Sequence, residues 1–339
     1  MTTKNKIDSL ARLGDFLLHP NDALEQLIIS APQQNAWFTP ENTRHAITAT
    51  GKMLNHTDLE QWLGAYPNAE SIEPAKLIGL VLAGNIPMVG LHDILCVLAS
   101  GNKALIKLSS QDKKLIPFIL NKLVEIEPAF GGSFEFIERL AGFDAVIATG
   151  SGNTSRYFEY YFKNVPHIIR RNRNSVAVLD GNESDAALKA LGHDIFDYFG
   201  LGCRNVSKLF VPQDYNFTRF FEAIEEFHPI SDHHKYNNNY DYNKSIFLVN
   251  QDKHLDNGFL LLKNDHKLAS PLAVLYYEEY VSQVQLPQLL EPLEDQLQCV
   301  ATNVGLPLEA PVVKLGQTQQ PQLWDYADKV DTMAFLSSL

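Results

Sequence analysis

The chain has 339 residues, of which 45% are hydrophobic and 20% charged, a balance that suits a globular protein with one elaborated core or two domains. Its formal net charge of −12 argues against a nucleic-acid footprint, and no run of about 18 uncharged apolar residues offers a membrane span. Three widely spaced cysteines (Cys96, Cys203 and Cys299) without CxxC or clustered Cys/His spacing, and a start without an apolar signal core, lead us to expect reduced thiols in a cytoplasmic protein.

Residues 6 to about 66 read as helices. Leu10, Leu13, Phe16 and Leu17 keep helical spacing, as do Leu24, Leu27 and Ile28. Thr39-Pro40 supplies an N-cap with proline just inside the following helix. From Ala75 strands and helices alternate. Leu77–Ala83, Lys103–Leu108, Asp144–Thr149 and Val176–Leu179 read as strands, and Val89–Ala99, Lys113–Val124, Asn153–Phe162 and Asp185–Tyr198 as helices. Such alternation predicts an α/β fold whose mainly parallel sheet carries helices on both faces. Beyond Cys203 the expected strands are Lys208–Val211, Ser245–Val249, Phe259–Leu262 and Ala273–Tyr277, with a helix over Phe217–Phe227. Ser231–Lys244, rich in asparagine and tyrosine and containing His233 and His234, reads as an ordered loop. Adjacent histidines with no third ligand at suitable spacing are a poor metal site. The expected organisation is a helical segment over 1–70, a dinucleotide-binding domain over 71–175, a catalytic domain over 176–325 and a tail over 326–339.

Four segments carry candidate chemistry. Gly84-Asn85-Ile86-Pro87 follows the first apolar strand; the Asn85 amide either donates to an acyl oxygen or caps a helix. Lys107, Ser109 and Ser110 lie at the carboxyl end of a strand, where ligands collect in α/β sheets, and suit a ribose and its phosphate; a solvated lysine is the plainer alternative. Thr149-Gly150-Ser151 links a strand to a helix. Its glycine permits close approach of a pyrophosphate to a helix N-terminus, although the segment lacks the full G-x-G-x-x-G spacing. Cys203, just after Gly200-Leu-Gly202, is either a nucleophile that forms thioesters or a small core residue.

In this order the four segments resemble the aldehyde dehydrogenase superfamily, and more closely its acyl-CoA reductase branch of the LuxC type, whose first motif reads Gly-Asn-x-Pro. The resemblance covers roughly residues 75 to 215; Leu323–Asp328 matches in general character only. It implies two α/β domains, Rossmann-like and catalytic, and reduction of an acyl-CoA to a fatty aldehyde through a thioester on Cys203. Asn85 would stabilise the oxyanion. Lys107, Ser109, Ser110, Thr149, Gly150 and Ser151 would bind the cofactor.

The chain departs from that pattern in three places. Oxidising relatives carry a glutamate that activates water, and Arg170-Arg171-Asn172-Arg173-Asn174 occupies the corresponding stretch. These arginines are either structural or meet the phosphates of a bulky acyl donor. NAD-preferring relatives often carry glutamate three residues after the lysine matching Lys107. Ser110 stands there, which favours NADPH while leaving NADH possible. The glutamate that holds the nicotinamide ribose is missing, its nearest counterpart being Lys267-Leu-Ala-Ser-Pro271. An acyl-phosphate reductase and a non-reducing acyl-carrying assembly subunit are the competing readings. The expected partners are an acyl thioester, and a second copy of the chain or an acyl-activating enzyme.

Overall fold

The N-terminal helices begin where a side chain satisfies the first free backbone N–H groups. In the computed structural model, which describes residues 1–67, 74–150 and 152–339, α1 (Thr3–Leu18) is capped by Thr2 and α2 (Asp22–Ser30) by Asn21. Likewise α3 (Pro40–Met53) is capped by Thr39 with Pro40 in its first turn, and α4 (His56–Gly64) by Asn55. The apolar stripe of Leu10, Leu13 and Leu17 on α1 is buried in one cluster with Leu24, Ile28, Ile47 and Trp62.

The chain divides into two units, Met1–Asn172 with Pro321–Leu339, and Arg173–Gln320. The first unit continues through β1 (Leu77–Val81), α5 (Leu91–Ala99), β2 (Lys103–Lys107), α6 (Leu115–Ile126), β3 (Phe134–Phe136), β4 (Ala145–Thr149), α7 (Gly152–Phe162) and β5 (His167–Arg170). Its strands pair in the order β3-β2-β1-β4-β5, all parallel. The first three strands in sequence step outward from β1 on one side, and β4 and β5 lie on the other. Parallel strands covered on both faces read as unbroken apolar runs, which is why Leu77–Val81 and Ala145–Ala148 stood out in the sequence.

The second unit comprises β6 (Asn174–Val178), α8 (Asp185–Phe196), β7 (Val206–Pro212), α9 (Thr218–Ala223), α10 (His234–Asn250), β8 (Leu255–Asp256), β9 (Leu261–Asn264), β10 (Val274–Tyr280), α11 (Leu286–Leu290), β11 (Leu297–Thr302) and β12 (Val312–Val313). Its sheet order is β12-β11-β6-β7-β10-β9-β8, parallel except for the β8–β9 pair. Two buried clusters form its core. The chain then returns to the first unit, where α12 (Thr332–Ser337) places Met333 and Leu336 in the same cluster as α1. Among the described residues, no helix is long and apolar enough to cross a membrane.

Three sequence expectations are corrected. The Ser231–Lys244 loop and the Ser245–Val249 strand are both replaced: after short turns, α10 runs through His234–Asn250. Its buried residues are Tyr236, Tyr240, Asn243 and Phe247, a helical stripe concealed in a polar segment. Tyr236 donates to the Phe259 carbonyl (3.1 Å), Tyr240 to Asp256 (2.6 Å) and Asn243 to the Leu272 carbonyl (2.9 Å). Partners distant in sequence thus override the loop preference of asparagine. The expected Phe217–Phe227 helix shortens to α9, followed by 3-10 turns around Pro229.

Candidate functional site

In the first unit, the carboxyl ends of β1, β2, β3 and β4 open onto a cleft of about 650 Å³. Lys107, Ser109, Ser110 and Thr149, singled out in the sequence, all line it. The cleft also takes in Lys113, Phe136, Glu138, Thr154 and Phe158, which sequence reading missed. β3 is only three residues long, and without it nothing marks Glu138 as a strand-end residue.

Two glycines bring the walls together. A Cβ on Gly84 would lie 2.4 Å from Ser109 Oγ and 2.8 Å from Ser109 Cβ, so the loop after β1 approaches the end of β2 only because residue 84 has no side chain. A Cβ on Gly150 would lie 2.9 Å from the Phe158 ring and 3.0 Å from Thr154 Cγ2, so the backbone just after β4 comes close to the side chains of the first turns of α7. Ser151 lies outside the described residues. Asn85 is exposed in a bend after β1. The helix it was expected to open, α5, starts at Leu91 with Gly90 as its N-cap, so Asn85 is not a helix cap. The intervening turn is held by Asp112, whose carboxylate accepts the Met88 N–H at 3.0 Å. Burial raises the Asp112 pKa above the usual carboxylate value.

Cys203 belongs to the second unit and is exposed, whereas Cys96 and Cys299 are buried. The loop that carries it, between α8 and β7, has an unusual backbone. Tyr198, Phe199 and Gly200 take φ of 54°, 59° and 75°, three successive residues in the left-handed region. Such conformations cost about 1–3 kcal/mol each for bulky residues and persist only when the surroundings enforce them. Here Tyr198 and Phe199 are buried, with the Phe199 ring 4.3 Å from that of His233.

Asn205 does most of the holding. Its amide donates to the carbonyls of Asp197 (2.8 Å), Asp194 (3.2 Å) and Ile195 (3.4 Å), satisfying the end of α8. Its Oδ1 accepts the Gly202 N–H at 2.8 Å, and its own N–H donates to the Gly202 carbonyl at 3.1 Å. From the other side, the buried Ser175 hydroxyl donates to the Cys203 carbonyl at 3.0 Å and lies 3.1 Å from Cys299 Sγ. The backbone on both sides of Cys203 is therefore held, by Ser175 of β6 and by Asn205 just before β7. Downstream, buried Lys208 donates to Glu278 (2.5 Å) and to the His266 carbonyl (3.1 Å), tying β7 to β10. The sequence did not reveal Asn205 or Ser175 as loop anchors, because their partners lie on other elements. Asx residues near a glycine turn are the one local hint.

The arginines resolve into separate roles. Arg170 is buried and donates to Asp93 (2.8 Å), to Thr332 Oγ1 (2.7 Å) and to the Ala327 carbonyl. It fastens the C-terminal residues to β5, a structural task that engages both terminal nitrogens of its guanidinium. Arg171 is exposed and pairs with Glu159, while Arg173 donates to the Asp295 carbonyl. At the counterpart of the missing ribose glutamate, Lys267 is exposed and its N–H donates to Asp265 (3.0 Å). Among the described residues, no group of three or more His, Cys, Asp and Glu side chains could hold a metal ion.

The same fold occurs in solved aldehyde dehydrogenases. Aldehyde dehydrogenase 21 from Physcomitrella patens, in complex with the reaction product succinate, is 12% identical with a TM-score of 0.70, covering 100% of this chain and 84% of that one. An aldehyde dehydrogenase from Bacillus cereus, solved as its NAD⁺ complex, is 13% identical with a TM-score of 0.64, over 93% and 76% of the two chains. An NADP-dependent enzyme from Escherichia coli is 14% identical with a TM-score of 0.64, over 93% and 78%. No curated protein shows significant sequence similarity to the chain. Residues 35–226, however, match the family described as acyl-CoA reductase (LuxC), a span that takes in the cleft, Asn85 and the whole Cys203 loop. With more than half its length matched and the aldehyde dehydrogenase fold around both candidate regions, the chain belongs to the LuxC acyl-CoA reductase family, and so to the oxidoreductases that act on aldehydes and acyl groups.

Proposed function

We propose that the protein is an NADPH-dependent reductase that converts a fatty acyl-CoA into an aldehyde through an acyl group carried on Cys203. The observation that carries this reading is the contrast among the thiols: Cys203 stands exposed on a loop pinned on both sides, while Cys96 and Cys299 are buried. Its thiolate attacks the acyl carbonyl and expels the coenzyme thiol, leaving a thioester. Asn85 is the side-chain donor assigned to the oxyanion, an assignment that rests on the Gly84-Asn85-Ile86-Pro87 motif.

The cleft of the first unit suits a nicotinamide dinucleotide in space and in donors. Gly84 and Gly150 pack closely against its lining residues Ser109, Thr154 and Phe158, and its rim carries Lys107, Lys113, Ser109, Ser110 and Thr149. Thr154, in the first turn of α7, lines it too, so a phosphate there would benefit from the helix N-terminus. Lysines and hydroxyls at the end of β2 favour a 2′-phosphate and support NADPH. When bound, the reduced nicotinamide supplies the hydride that turns the thioester into an aldehyde and frees the Cys203 thiol. The chain places no carboxylate at Arg170–Asn174 to activate water, which supports reduction or thiol exchange over hydrolysis.

Incubation with acyl-CoA alone tests the first step. Mass spectrometry of the digested protein should find one acyl group on the peptide containing Cys203 and none after Cys203→Ala. Acylation at Cys96 or Cys299 refutes the assignment.

A further inference from the structure

Glu138 lies two residues beyond β3 and lines the same cleft as Lys107, Lys113, Ser109 and Ser110. Among the described residues, the side chains of Glu138, Lys107 and Lys113 form no hydrogen bond or ion pair. Charges of both signs thus border one cleft without neutralising one another, an arrangement suited to a ligand that meets both. A ribose diol presents two hydroxyl donors, which a carboxylate accepts well. A 2′-phosphate carries about −1.5 to −2 charges, as phosphate monoesters do near neutral pH, so it is drawn to the lysines and opposed by the carboxylate.

We infer that Glu138 is a specificity-determining residue of this cleft. It accepts the hydroxyls of the adenosine ribose and opposes a 2′-phosphate, and so limits the preference for NADPH over NADH that Lys107, Lys113 and Ser110 create. The position judged from sequence to decide cofactor choice was residue 110. In the folded chain the carboxylate comes instead from the end of the neighbouring strand, because parallel pairing of β2 with β3, with Ile106 opposite Phe136, brings the two strand ends to one cleft.

This inference rests on the cleft being the dinucleotide site, and the test separates the two ideas. Equilibrium titrations with NADPH and with NADH, followed by nicotinamide fluorescence, are compared for the wild type, Glu138→Gln, Lys107→Met and Glu135→Gln. Glu135 is exposed on β3 but is not part of the cleft. Glu138 is also exposed, so its replacement should not disturb folding. Glu138→Gln should raise the ratio of NADPH to NADH affinity about tenfold, the size expected from removing one like charge beside a phosphate. Glu135→Gln should leave the ratio unchanged, and Lys107→Met should weaken NADPH. If both nucleotides bind and Lys107→Met weakens NADPH, yet Glu138→Gln changes the ratio less than about twofold, the role of Glu138 is refuted and the cleft stands. If neither nucleotide binds the wild type, or Lys107→Met has no effect, the cleft assignment falls and the inference falls with it.

Discussion

Replacing Asn205 tests the most constrained part of the Cys203 loop. Its side chain makes two bonds at 2.8 Å, one accepted from the Gly202 N–H and one donated to the Asp197 carbonyl, and a further one at 3.2 Å to Asp194. At about 0.5–1.5 kcal/mol net for each buried bond, Asn205→Ala should cost roughly 2–4 kcal/mol. For a unit of about 150 residues, that corresponds to a fall in melting temperature of roughly 6–12 °C. Asn205→Asp provides the sharper comparison. It keeps the shape and the acceptor for Gly202 but turns a carboxylate toward three carbonyl oxygens, so it should be less stable than the alanine variant. The residues on either side of Tyr198–Gly200, Asp197 and Gly202, would also lose their bonds to Asn205, and the rate of Cys203 alkylation by iodoacetamide should change even at temperatures where each variant stays folded. Urea unfolding gives the stability order and timed alkylation gives the loop response. If Asn205→Asp matches the wild type in both, Asn205 merely fills space and the argument for a held loop fails.

Asn85→Ala should lower kcat by about 100- to 1000-fold, as the loss of one oxyanion donor does, a loss larger than any change in substrate binding. A variant with normal turnover and reduced stability would contradict this. Given aldehyde and NADP⁺, the enzyme should release little free acid unless coenzyme A is supplied, since no carboxylate stands at Arg170–Asn174 to activate water. Rapid acid formation without thiol would require another base and would end the reductase reading. Arg170→Met should destabilise the first unit by about 3–5 kcal/mol, the cost of breaking a buried charge pair by removing one member, because it leaves Asp93 uncompensated and releases Thr332 and Ala327. Stability within about 1 kcal/mol of wild type, measured by urea unfolding, would refute the structural role.

The α/β fold was legible in the chain because its signals are local. Apolar runs such as Leu77–Val81 and Ala145–Ala148 are what a doubly covered parallel strand requires, and Thr39-Pro40 announced α3 by its own cap chemistry. The candidate residues Cys203, Asn85, Lys107 and Thr149 were visible for the same reason, each marked by adjacent glycines or a strand end. Tertiary structure alone decided what depends on partners far apart in sequence. α10 could not be read from Asn237–Asn239, since its helix is stabilised by tyrosines and an asparagine that bond to Phe259, Asp256 and Leu272. The role of Arg170 is set by residues more than 70 positions away in either direction. Glu138 joins Lys107 in one cleft only through strand pairing, and Asn205 and Ser175 hold the Cys203 loop only because α8, β6 and β7 converge there. A one-dimensional pattern carries the periodicity of burial; the pairing of polar groups is determined by topology, which brings distant strand ends and loops within hydrogen-bonding distance.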